Sequence, residues 1–308
     1  MFDQKVLDEF ETAAGREGTS GARLDRLTTL GCGGPAAILM EIDSPEELAS
    51  VLAVASANSI DWFVLGYGSN LLVADSGWDG LVIRLSGELK ECVVQEEGRL
   101  ECGAGAALTR AASAAAAAGL SGLEPLAGIP GTIGGAVAMN AGAWGTEIGN
   151  IIGRVLVCLP GECRELSAGD MRFSYRHCEL PEGSVIARVT LALDYDEPDN
   201  IREATAGFSG RRSEAQPTGE RTCGSVFRNP PEGPRAGELL DSSGCKGLER
   251  GGAMVTEAHA NFIANRGGAT ATDIVWLMDE CRRRVYDQAG IVLEPEVRFL
   301  GDISLEPL

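Results

Sequence analysis

The sequence predicts a mixed α/β or α+β fold in two domains, from three observations. Short apolar runs typical of strands alternate with helical patterns along the whole chain. The 308 residues are 44% hydrophobic and 23% charged, as in a globular protein long enough for roughly two domains. A polar, charged segment, residues 197–224, interrupts this alternation and predicts a domain junction near residue 197.

Three helices are predicted in the first part of the chain. The charged start, residues 1–15, is typical of a short helix. Ser44 as an N-cap residue and Pro45 at the first helical position predict the beginning of a second helix. The alanine-rich segment 107–120 predicts a third, which ends at Gly119 because glycine readily adopts the left-handed conformation after a helix.

Strands are predicted where short apolar runs are bounded by glycine turns, in segments 61–75, 81–105, 152–160, 184–196 and 290–301. Near the C terminus, apolar residues recur at helical spacing behind Thr272 and Asp273, which predicts a further helix. The first part of segment 197–224 is also compatible with a helix. No internal repeat is present in the sequence.

The composition argues against several classes of protein. The net charge of −19, from 45 acidic and 26 basic residues, is unfavourable for binding nucleic acid or an anionic membrane surface. No apolar stretch approaches the roughly 20 residues that span a bilayer, and the start lacks the apolar core of a signal peptide. The nine cysteines show no metal-binding spacing, so we expect reduced thiols in a cytoplasmic protein without a metal site.

Familiar nucleotide-binding and hydrolase motifs are absent from the sequence. GYGSNL, residues 66–71, begins like a dinucleotide fingerprint, but it lacks the third glycine and precedes a predicted strand where that motif needs a helix. The sequence contains no P-loop, no GxSxG elbow and no HExxH. Its two histidines, His177 and His259, nearly exclude a histidine metal site.

Two glycine-rich segments remain, GYGSNLLVAD at 66–75 and AGIPGTIGGAVAMNAGAWG at 127–145. Glycines at this density allow consecutive backbone N–H groups to approach an anion such as a diphosphate. The second segment is too long for a phosphate alone and has the length to lie along a ring system as well. The alternative, that each is a tight turn present for structural reasons, stays open from the residues alone.

Several motifs in the same chain resemble those of one enzyme family. In order between about Leu27 and Gly301, the chain contains VLGYGSNLLVADSGWDGLVIRL, GLEPLAGIPGTIGGAVAMNAGAWG, FSYRHC, GSVFRNP, GGAMVTEAHANFIAN and LEPEVRFLG. Together they resemble UDP-N-acetylenolpyruvoylglucosamine reductase, the MurB family of peptidoglycan precursor synthesis. The absence of a long insertion before GSVFRNP is similar to the shorter of the two family subtypes.

The resemblance implies an α+β fold with a two-part FAD-binding domain of the vanillyl-alcohol-oxidase/PCMH type, followed by an α+β substrate-binding domain. The implied FAD-binding domain is 1–196, with subdomains of about 20–84 and 85–196. Residues 197–308 are the implied substrate-binding domain, whose final strand returns to the flavin site. We expect a cytoplasmic monomer with a small-molecule substrate and no nucleic-acid or membrane partner.

FAD as the bound cofactor and NADPH as the hydride donor are likewise implied by the resemblance. Both glycine-rich segments then belong to one FAD cradle, and Arg298 approaches the flavin from the final strand. The implied cofactor-binding residues are Gly66, Tyr67, Gly68, Ser69, Asn70, Leu71, Gly128, Ile129, Pro130, Gly131, Thr132, Gly134, Gly135, Ala136, Asn140, Gly142, Ala143 and Arg298.

Three residues match the family's catalytic positions. Arg176, in FSYRHC, is the implied cation that binds the substrate carboxylate and stabilises its charge as the enolate forms. Ser225, in GSVFRNP, is the implied proton donor to the enolate carbon, a role that requires neighbours to stabilise the alkoxide or restore its proton. Glu296, the second acid of LEPEVRF, is the implied protonated partner of the same carboxylate, whereas Glu294 fits a solvated acid better.

Substrate contacts are implied at three further positions. Asn229 and Arg228 follow Ser225 and match residues that contact the substrate or its diphosphate, and His259 matches another substrate position. The family usually has lysine in place of Arg228, so the charge is kept while the geometry differs. A lone histidine is more often a packed structural residue, and this alternative for His259 stays open.

The implied reaction is the NADPH-dependent reduction of the enolpyruvyl group of UDP-N-acetylglucosamine enolpyruvate to UDP-N-acetylmuramate through FAD. Two other functions remain open: a flavin oxidase or dehydrogenase of an alcohol or sugar, and a non-catalytic flavin or nucleotide-sugar sensor. Arg176, Ser225 and Glu296 in one chain argue against both, because a sensor needs no proton donor and an oxidase would use other groups.

Overall fold

The computed structural model describes residues 2–308 and divides into two compact units. The first comprises the chain up to residue 20 together with 38–66 and 80–212, and the second comprises 21–37, 67–79 and 213–308. The helices are α1 Gln4–Ala14, α2 Pro45–Ala57, α3 Leu108–Ala117, α4 Ile133–Ala138, α5 Pro198–Ala215, α6 Ala236–Ser242 and α7 Ala271–Ala289. Short 3₁₀ turns lie at Leu24–Arg26, Gly87–Lys90, Ile148–Ile151 and Ala168–Asp170.

The strands of the first unit form two main sheets and three short pairs. The four-stranded sheet, of which residues 36–37 and 78–79 fall in the second unit, has the order Thr19–Ser20, Ala36–Ile42, Trp78–Leu85, Trp62–Val64. The five-stranded sheet has the order Glu162–Ser167, Ile152–Leu159, Val185–Ala192, Arg99–Gly103, Cys92–Val94. The short pairs are Leu120–Ser121 with Asp194–Tyr195, Gly142–Ala143 with Thr146–Glu147, and Arg172–Ser174 with His177–Glu179.

Helix α2 begins, and helix α3 ends, where the sequence predicts. The Ser44 hydroxyl accepts a hydrogen bond from the Glu47 N–H and so caps α2, with Pro45 in the first turn. Gly119 follows the C-cap of α3 with φ +68, a left-handed conformation that glycine adopts without strain. Ala111 and Ala115 of α3 are buried, so the helix packs closely against the edge of the five-stranded sheet.

The second unit is built around α7. A four-stranded antiparallel sheet has the order Arg221–Thr222, Ile263–Asn265, Ala253–Val255, Glu249–Arg250, and Leu71–Val73 pairs in parallel with Arg298–Leu300. The Thr270 hydroxyl caps α7 by accepting from the Asp273 N–H, and Gly290 ends it with φ +67. The predicted apolar stripe of α7 is confirmed as the buried core of this unit, through Ile274, Leu277, Met278, Cys281 and Val285.

Two predicted elements differ in the structure. The final strand is limited to Arg298–Leu300, because Pro295 has no N–H and segment 294–296 forms only an isolated bridge with Phe227. Helix α4, within the glycine-rich segment, is not predicted by the sequence. It forms because Thr132 caps it and because Ile133, Ala136 and Val137 bury their side chains, which outweighs the poor helix propensity of glycine.

The prediction that all cysteines are reduced thiols is wrong for one pair. Cys158 and Cys163 form a disulfide, with their Cα atoms 4.0 Å apart. They lie directly opposite each other on the antiparallel strands Ile152–Leu159 and Glu162–Ser167, so the sheet register itself brings the two thiols together. Seven cysteines are free thiols. Within residues 2–308, no cluster of His, Cys, Asp and Glu has the arrangement of a metal site.

The compact units are discontinuous in sequence. Segments 21–37 and 67–79 belong with the C-terminal part, and most of α5, residues 198–212, belongs with the N-terminal part. The domain limit after residue 196 concerns cofactor and substrate binding and stays a prediction. No helix within residues 2–308 has the length and apolarity required to cross a membrane.

Candidate active site

The residues singled out from the sequence fall into two groups, one in each compact unit. The first unit contains Gly66, Gly128, Ile129, Pro130, Gly131, Thr132, Gly134, Gly135, Ala136, Asn140, Gly142, Ala143 and Arg176. The second unit contains Tyr67, Gly68, Ser69, Asn70, Leu71, Ser225, Arg228, Asn229, His259, Glu296 and Arg298. Each group is described within its own unit.

The long glycine-rich segment supplies fewer free N–H groups than its composition suggests. The N–H groups of Ile133 and Gly134 donate to the carbonyls of Ala106 and Ala104, at 2.9 and 2.8 Å. The Gly135 N–H donates to the Thr132 hydroxyl. Among residues 2–308, the N–H groups of Gly131 and Thr132 donate to no protein acceptor. The donors left for an anion therefore lie just before α4.

Close backbone packing explains two of the glycines in this group. A Cβ on Gly66 would lie 2.8 Å from the Thr132 hydroxyl oxygen, and a Cβ on Gly134 would lie 2.8 Å from the Ala104 Cβ. Real Cβ atoms do not approach other atoms so closely, so neither position accepts a side chain without a shift. Glycine at these positions therefore lets the chain pack directly against the Thr132 side chain and against Ala104.

Arg176 occupies a strained backbone position. Strands Arg172–Ser174 and His177–Glu179 pair with Ser174 opposite His177, which leaves Tyr175 and Arg176 as a two-residue turn. Arg176 has φ +57, a left-handed conformation that usually requires glycine or asparagine. Its guanidinium donates to the Gly142 carbonyl at 3.3 Å and lies over the Tyr175 ring, 5.2 Å from the centroid. Strain of this kind clusters at functional sites.

A second arginine of the same unit lies against the glycine-rich segment. Arg212, on α5, is half-buried, and a Cβ on Gly128 would lie 3.1 Å from its Cδ. Burial lowers the pKa of Arg212, and the positive charge of Arg176 lowers it further. Arg212 forms no salt bridge with any carboxylate among residues 2–308. An anionic ligand would relieve this repulsion, and the sequence motifs alone did not indicate Arg212.

In the second unit, the short glycine-rich segment is fixed beside the final strand. Gly68 has φ +59, and a Cβ there would lie 2.8 Å from the Thr28 Cα, so this turn requires glycine. The Asn70 side chain donates to the Glu296 carbonyl at 3.1 Å, and the Asn70 carbonyl accepts from the Arg298 N–H at 3.1 Å. The GYGSN turn and the LEPEVRF segment are thus one hydrogen-bonded arrangement.

Ser225 and Glu296 are brought together by backbone pairing. The Glu296 N–H donates to the Val226 carbonyl at 2.8 Å, which places the two segments side by side. Asn261 fixes Phe227, two residues after Ser225. Its side-chain amide donates to the Phe227 carbonyl at 2.8 Å and accepts from the Phe227 N–H at 3.0 Å. Glu294 is exposed whereas Glu296 is half-buried, which favours Glu296 as the functional acid.

Two arginines of this unit lie close enough to affect each other. Desolvation by surrounding atoms lowers the pKa of Arg298, although part of its side chain stays exposed, and the charge of Arg228 lowers it further. The Arg228 Nε is buried and has no hydrogen-bond acceptor within residues 2–308. A buried donor without an acceptor costs about 1–3 kcal/mol, so this N–H is suited to a ligand oxygen.

His259 and Asn229 have structural partners inside the unit. The His259 Nδ1 accepts from the Asn261 N–H at 3.2 Å, and its ring packs edge-on against Phe262. Burial lowers the pKa of His259, and the charge of Lys246 lowers it further, so the ring is neutral at pH 7. The Asn229 side chain accepts from the Ala236 N–H at the start of α6. Substrate contacts by either residue stay predictions.

Comparison with known proteins decides the family. The protein-family model of the UDP-N-acetylenolpyruvoylglucosamine reductase C-terminal domain matches residues 216–300. The family model of a FAD binding domain matches residues 36–166. The UDP-N-acetylenolpyruvoylglucosamine reductase of Myxococcus xanthus is 41% identical over 295 residues, 95% of both chains. The chain belongs to the UDP-N-acetylenolpyruvoylglucosamine reductase family. The reductase of Acidiphilium cryptum is 43% identical over 90% of this chain and 89% of its own.

A solved structure of the same family supports the fold. The crystal structure of UDP-N-acetylenolpyruvylglucosamine reductase (MurB) from Thermus caldophilus superimposes with a TM-score of 0.79, at 39% identity, and covers 91% of this chain and 97% of its own. The predicted MurB family and the predicted fold class, a FAD-binding domain followed by a second α+β domain, are confirmed. So are the predicted cofactor FAD and the assignment as a flavin-dependent oxidoreductase.

Proposed function

We propose that this MurB-family chain reduces the enolpyruvyl group of UDP-N-acetylglucosamine enolpyruvate to UDP-N-acetylmuramate, with NADPH as the hydride donor. The observation that supports this most directly is the left-handed turn at Arg176, whose guanidinium donates to the Gly142 carbonyl in the glycine-rich segment 127–145. We further propose that the protein acts as a cytoplasmic monomer on this small-molecule substrate, without nucleic acid or membrane.

The residues present fit FAD. The N–H groups of Gly131 and Thr132, which donate to no acceptor within residues 2–308, are suited to a diphosphate. The turn at Gly68 in the second unit has no room for a side chain, because a Cβ there would lie 2.8 Å from the Thr28 Cα. When bound, FAD would supply the hydride-transfer chemistry between NADPH and the enolpyruvyl carbon, and the protein would supply orientation, charge and protons.

Arg176 binds the substrate carboxylate in the proposed reaction. Hydride addition to the enol ether leaves negative charge on the carboxylate and its α-carbon, so a preorganised cation lowers the barrier. A guanidinium presents two parallel N–H donors to a carboxylate and keeps its charge at all physiological pH values. The left-handed turn limits the positions available to the Arg176 backbone before the substrate arrives.

Ser225 and Glu296 handle the proton. In the proposed reaction, the Ser225 hydroxyl donates a proton to the α-carbon of the enolate, and Glu296 hydrogen-bonds the substrate carboxylate. The hydrogen bond from the Glu296 N–H to the Val226 carbonyl, at 2.8 Å, fixes the relative position of the two segments. We propose that Arg228 binds a phosphate oxygen, and its buried Nε, which has no hydrogen-bond acceptor within residues 2–308, supports this role.

Substitution of Ser225 by alanine tests these roles. We expect Ser225→Ala to be reduced by NADPH at close to the wild-type rate, and then to pass hydride to the enolpyruvyl substrate at least roughly 100-fold more slowly, because the proton donor is lost. Stopped-flow absorbance of the flavin measures both half-reactions separately. Equal rates for the variant and the wild type in the second half-reaction would contradict the role of Ser225.

A further inference from the structure

The residue that ends α4 is asparagine where the backbone would accept glycine. Asn140 has φ +40 and follows the C-cap Met139, so it occupies the left-handed position after a helix. The backbone there closes in the usual way, because the Asn140 N–H donates to the Val137 carbonyl and the Ala141 N–H to the Ala136 carbonyl. Glycine would make the same bonds without strain, so the presence of asparagine points to its side chain.

The Asn140 amide is completely used within the protein. The side chain is fully buried, its Oδ1 accepts from the Gly149 N–H at 3.1 Å, and its Nδ2 donates to the Glu147 carboxylate at 2.7 Å and to the Ser174 carbonyl at 3.0 Å. Both N–H protons are therefore occupied. The side chain therefore has no N–H left to donate to a cofactor, although its motif implies a cofactor contact.

The two groups to which the Asn140 amide donates, Glu147 and Ser174, belong to the two hairpins around Arg176. Glu147 lies in the hairpin Gly142–Glu147, whose Gly142 carbonyl accepts from the Arg176 guanidinium at 3.3 Å. Ser174 is the strand residue that enters the Tyr175–Arg176 turn. One amide thus binds the backbone at the base of the turn and the hairpin that the guanidinium contacts, so the two hairpins have a common anchor.

We propose that Asn140 is a positioning residue for Arg176, and this inference rests on the proposed role of Arg176 as the ligand of the substrate carboxylate. A left-handed non-glycine residue persists only where its surroundings fix it. The hydrogen bond from Asn140 to the Ser174 carbonyl fixes the strand residue that directly precedes the Tyr175–Arg176 turn. Gly149 reinforces the arrangement, because a Cβ there would lie 2.9 Å from Oδ1 and 2.8 Å from the Phe173 ring.

Asn140→Gly is the informative variant, because it keeps the helix end and deletes only the amide. In the FAD-loaded full-length protein, we expect hydride transfer to the enolpyruvyl substrate to slow by roughly 100-fold, the loss that follows from a misplacement of about 1 Å. Reduction by NADPH should change by less than about threefold. Asn140→Asp has the same shape without the donors, and it should show the same pattern if Asn140→Gly does not fold.

Two ligands that differ by the carboxylate separate positioning from a general structural role. Calorimetry should show that Asn140→Gly weakens the binding of UDP-N-acetylmuramate, which has a carboxylate, and leaves the binding of UDP-N-acetylglucosamine, which has none, unchanged. Thr190→Val provides the matched control, because it deletes another buried hydrogen bond of the same unit, from the Arg154 Nε, and it should alter neither ligand's affinity. Equal weakening for both ligands would overturn the inference.

A double variant tests whether Asn140 acts through Arg176. In an Arg176→Ala background, Asn140→Gly should slow the substrate half-reaction no further, because the group that it positions is already absent. A full additional loss would show that Asn140 acts independently and would overturn the inference. The proposed function fails differently: the wild-type protein would then neither oxidise its reduced flavin with the enolpyruvyl substrate nor bind UDP-N-acetylmuramate.

Discussion

At the scale of single residues, the account depends on side chains that occupy backbone positions suited to glycine. Arg176 and Asn140 both have positive φ, at +57 and +40, and the Asn140 side chain binds the Ser174 carbonyl beside the Arg176 turn. A left-handed non-glycine residue costs about 1–2 kcal/mol, so its presence requires compensation or function. For Asn140 the compensation is visible as three hydrogen bonds, whereas for Arg176 the proposed benefit is the bound carboxylate.

Arg176→Gly separates these two effects. Glycine relieves about 1–2 kcal/mol of backbone strain, and the variant loses a part-buried hydrogen bond to Gly142 of roughly 0.5–1.5 kcal/mol. Because these two changes oppose each other, we expect the free energy of unfolding in urea to fall by less than about 2 kcal/mol. The substrate half-reaction, by contrast, should fall by at least roughly 1,000-fold, in the range found when a key charge-stabilising donor is removed.

Either of two results would contradict this prediction. Retention of substrate reduction by Arg176→Gly would remove the proposed role in carboxylate binding. A loss of several kcal/mol of stability would show that the arginine is there for the fold. Arg172→Gly, an exposed arginine of the same hairpin, is the control, and it should leave the substrate half-reaction unchanged.

His259 provides a pH prediction at the same scale. Burial and the charge of Lys246 lower its pKa in the folded protein, so the unfolded chain binds a proton more readily than the folded chain does. Stability should therefore fall as the pH drops below about 6.5, the pKa of an unperturbed histidine. Urea unfolding at pH 7 and pH 5 should show a smaller decrease for His259→Gln than for the wild type, and an equal decrease would contradict the assignment of this titration to His259.

At the scale of elements, the sequence predicts the helices with clear end signals and misses one without them. Ser44 and Pro45 indicate the start of α2, and Gly119 the end of α3, because these signals act locally. Helix α4 was missed because its stability comes from buried contacts and from the Ala104 and Ala106 carbonyls, which lie far away in sequence. The final strand was overestimated for a similar reason, since its pairing depends on segment 71–73.

From the sequence, the candidate site could be predicted only for residues that lie in motifs of the family. Arg176, Ser225 and Glu296 come from the family pattern, whereas Arg212 and Asn261 were not assigned any role. Arg212 lies in a charged helix like many solvated arginines, and its proximity to Gly128 and Arg176 exists only in the folded unit. The amide of Asn261 acts on Phe227, 34 residues earlier, and no local pattern indicates such a contact.

Gly134→Ala tests the packing of α4. Alanine in a helix gains about 1 kcal/mol over glycine, but its Cβ would lie 2.8 Å from the Ala104 Cβ, and such overpacking typically costs about 1–3 kcal/mol. We expect urea unfolding to show a net loss of about 1 kcal/mol. Gly207→Ala in α5 is the matched control, because nothing lies within 4 Å of the added Cβ and it should gain stability. A gain for both variants would show that the approach of α4 to Ala104 is not tight.

At the scale of the whole molecule, the net charge of −19 opposes the binding of anionic ligands. FAD, NADPH and a UDP-sugar are all anionic, so their attraction must come from local groups rather than from the overall field. Each unit contributes such groups: the Arg176 and Arg212 guanidinium groups with free backbone N–H donors in one, and Arg228 and Arg298 in the other. Each of the two units thus holds cations that can attract an anionic ligand, although the protein as a whole is acidic.

The most direct test of the central claim is an anaerobic one. The purified, FAD-loaded protein is reduced with one equivalent of NADPH, mixed with enolpyruvyl-UDP-N-acetylglucosamine, and followed by flavin absorbance with analysis of the product. The account predicts that the oxidised flavin spectrum returns in step with the formation of UDP-N-acetylmuramate. A flavin that stays reduced until air is admitted would contradict the account and favour an oxidase.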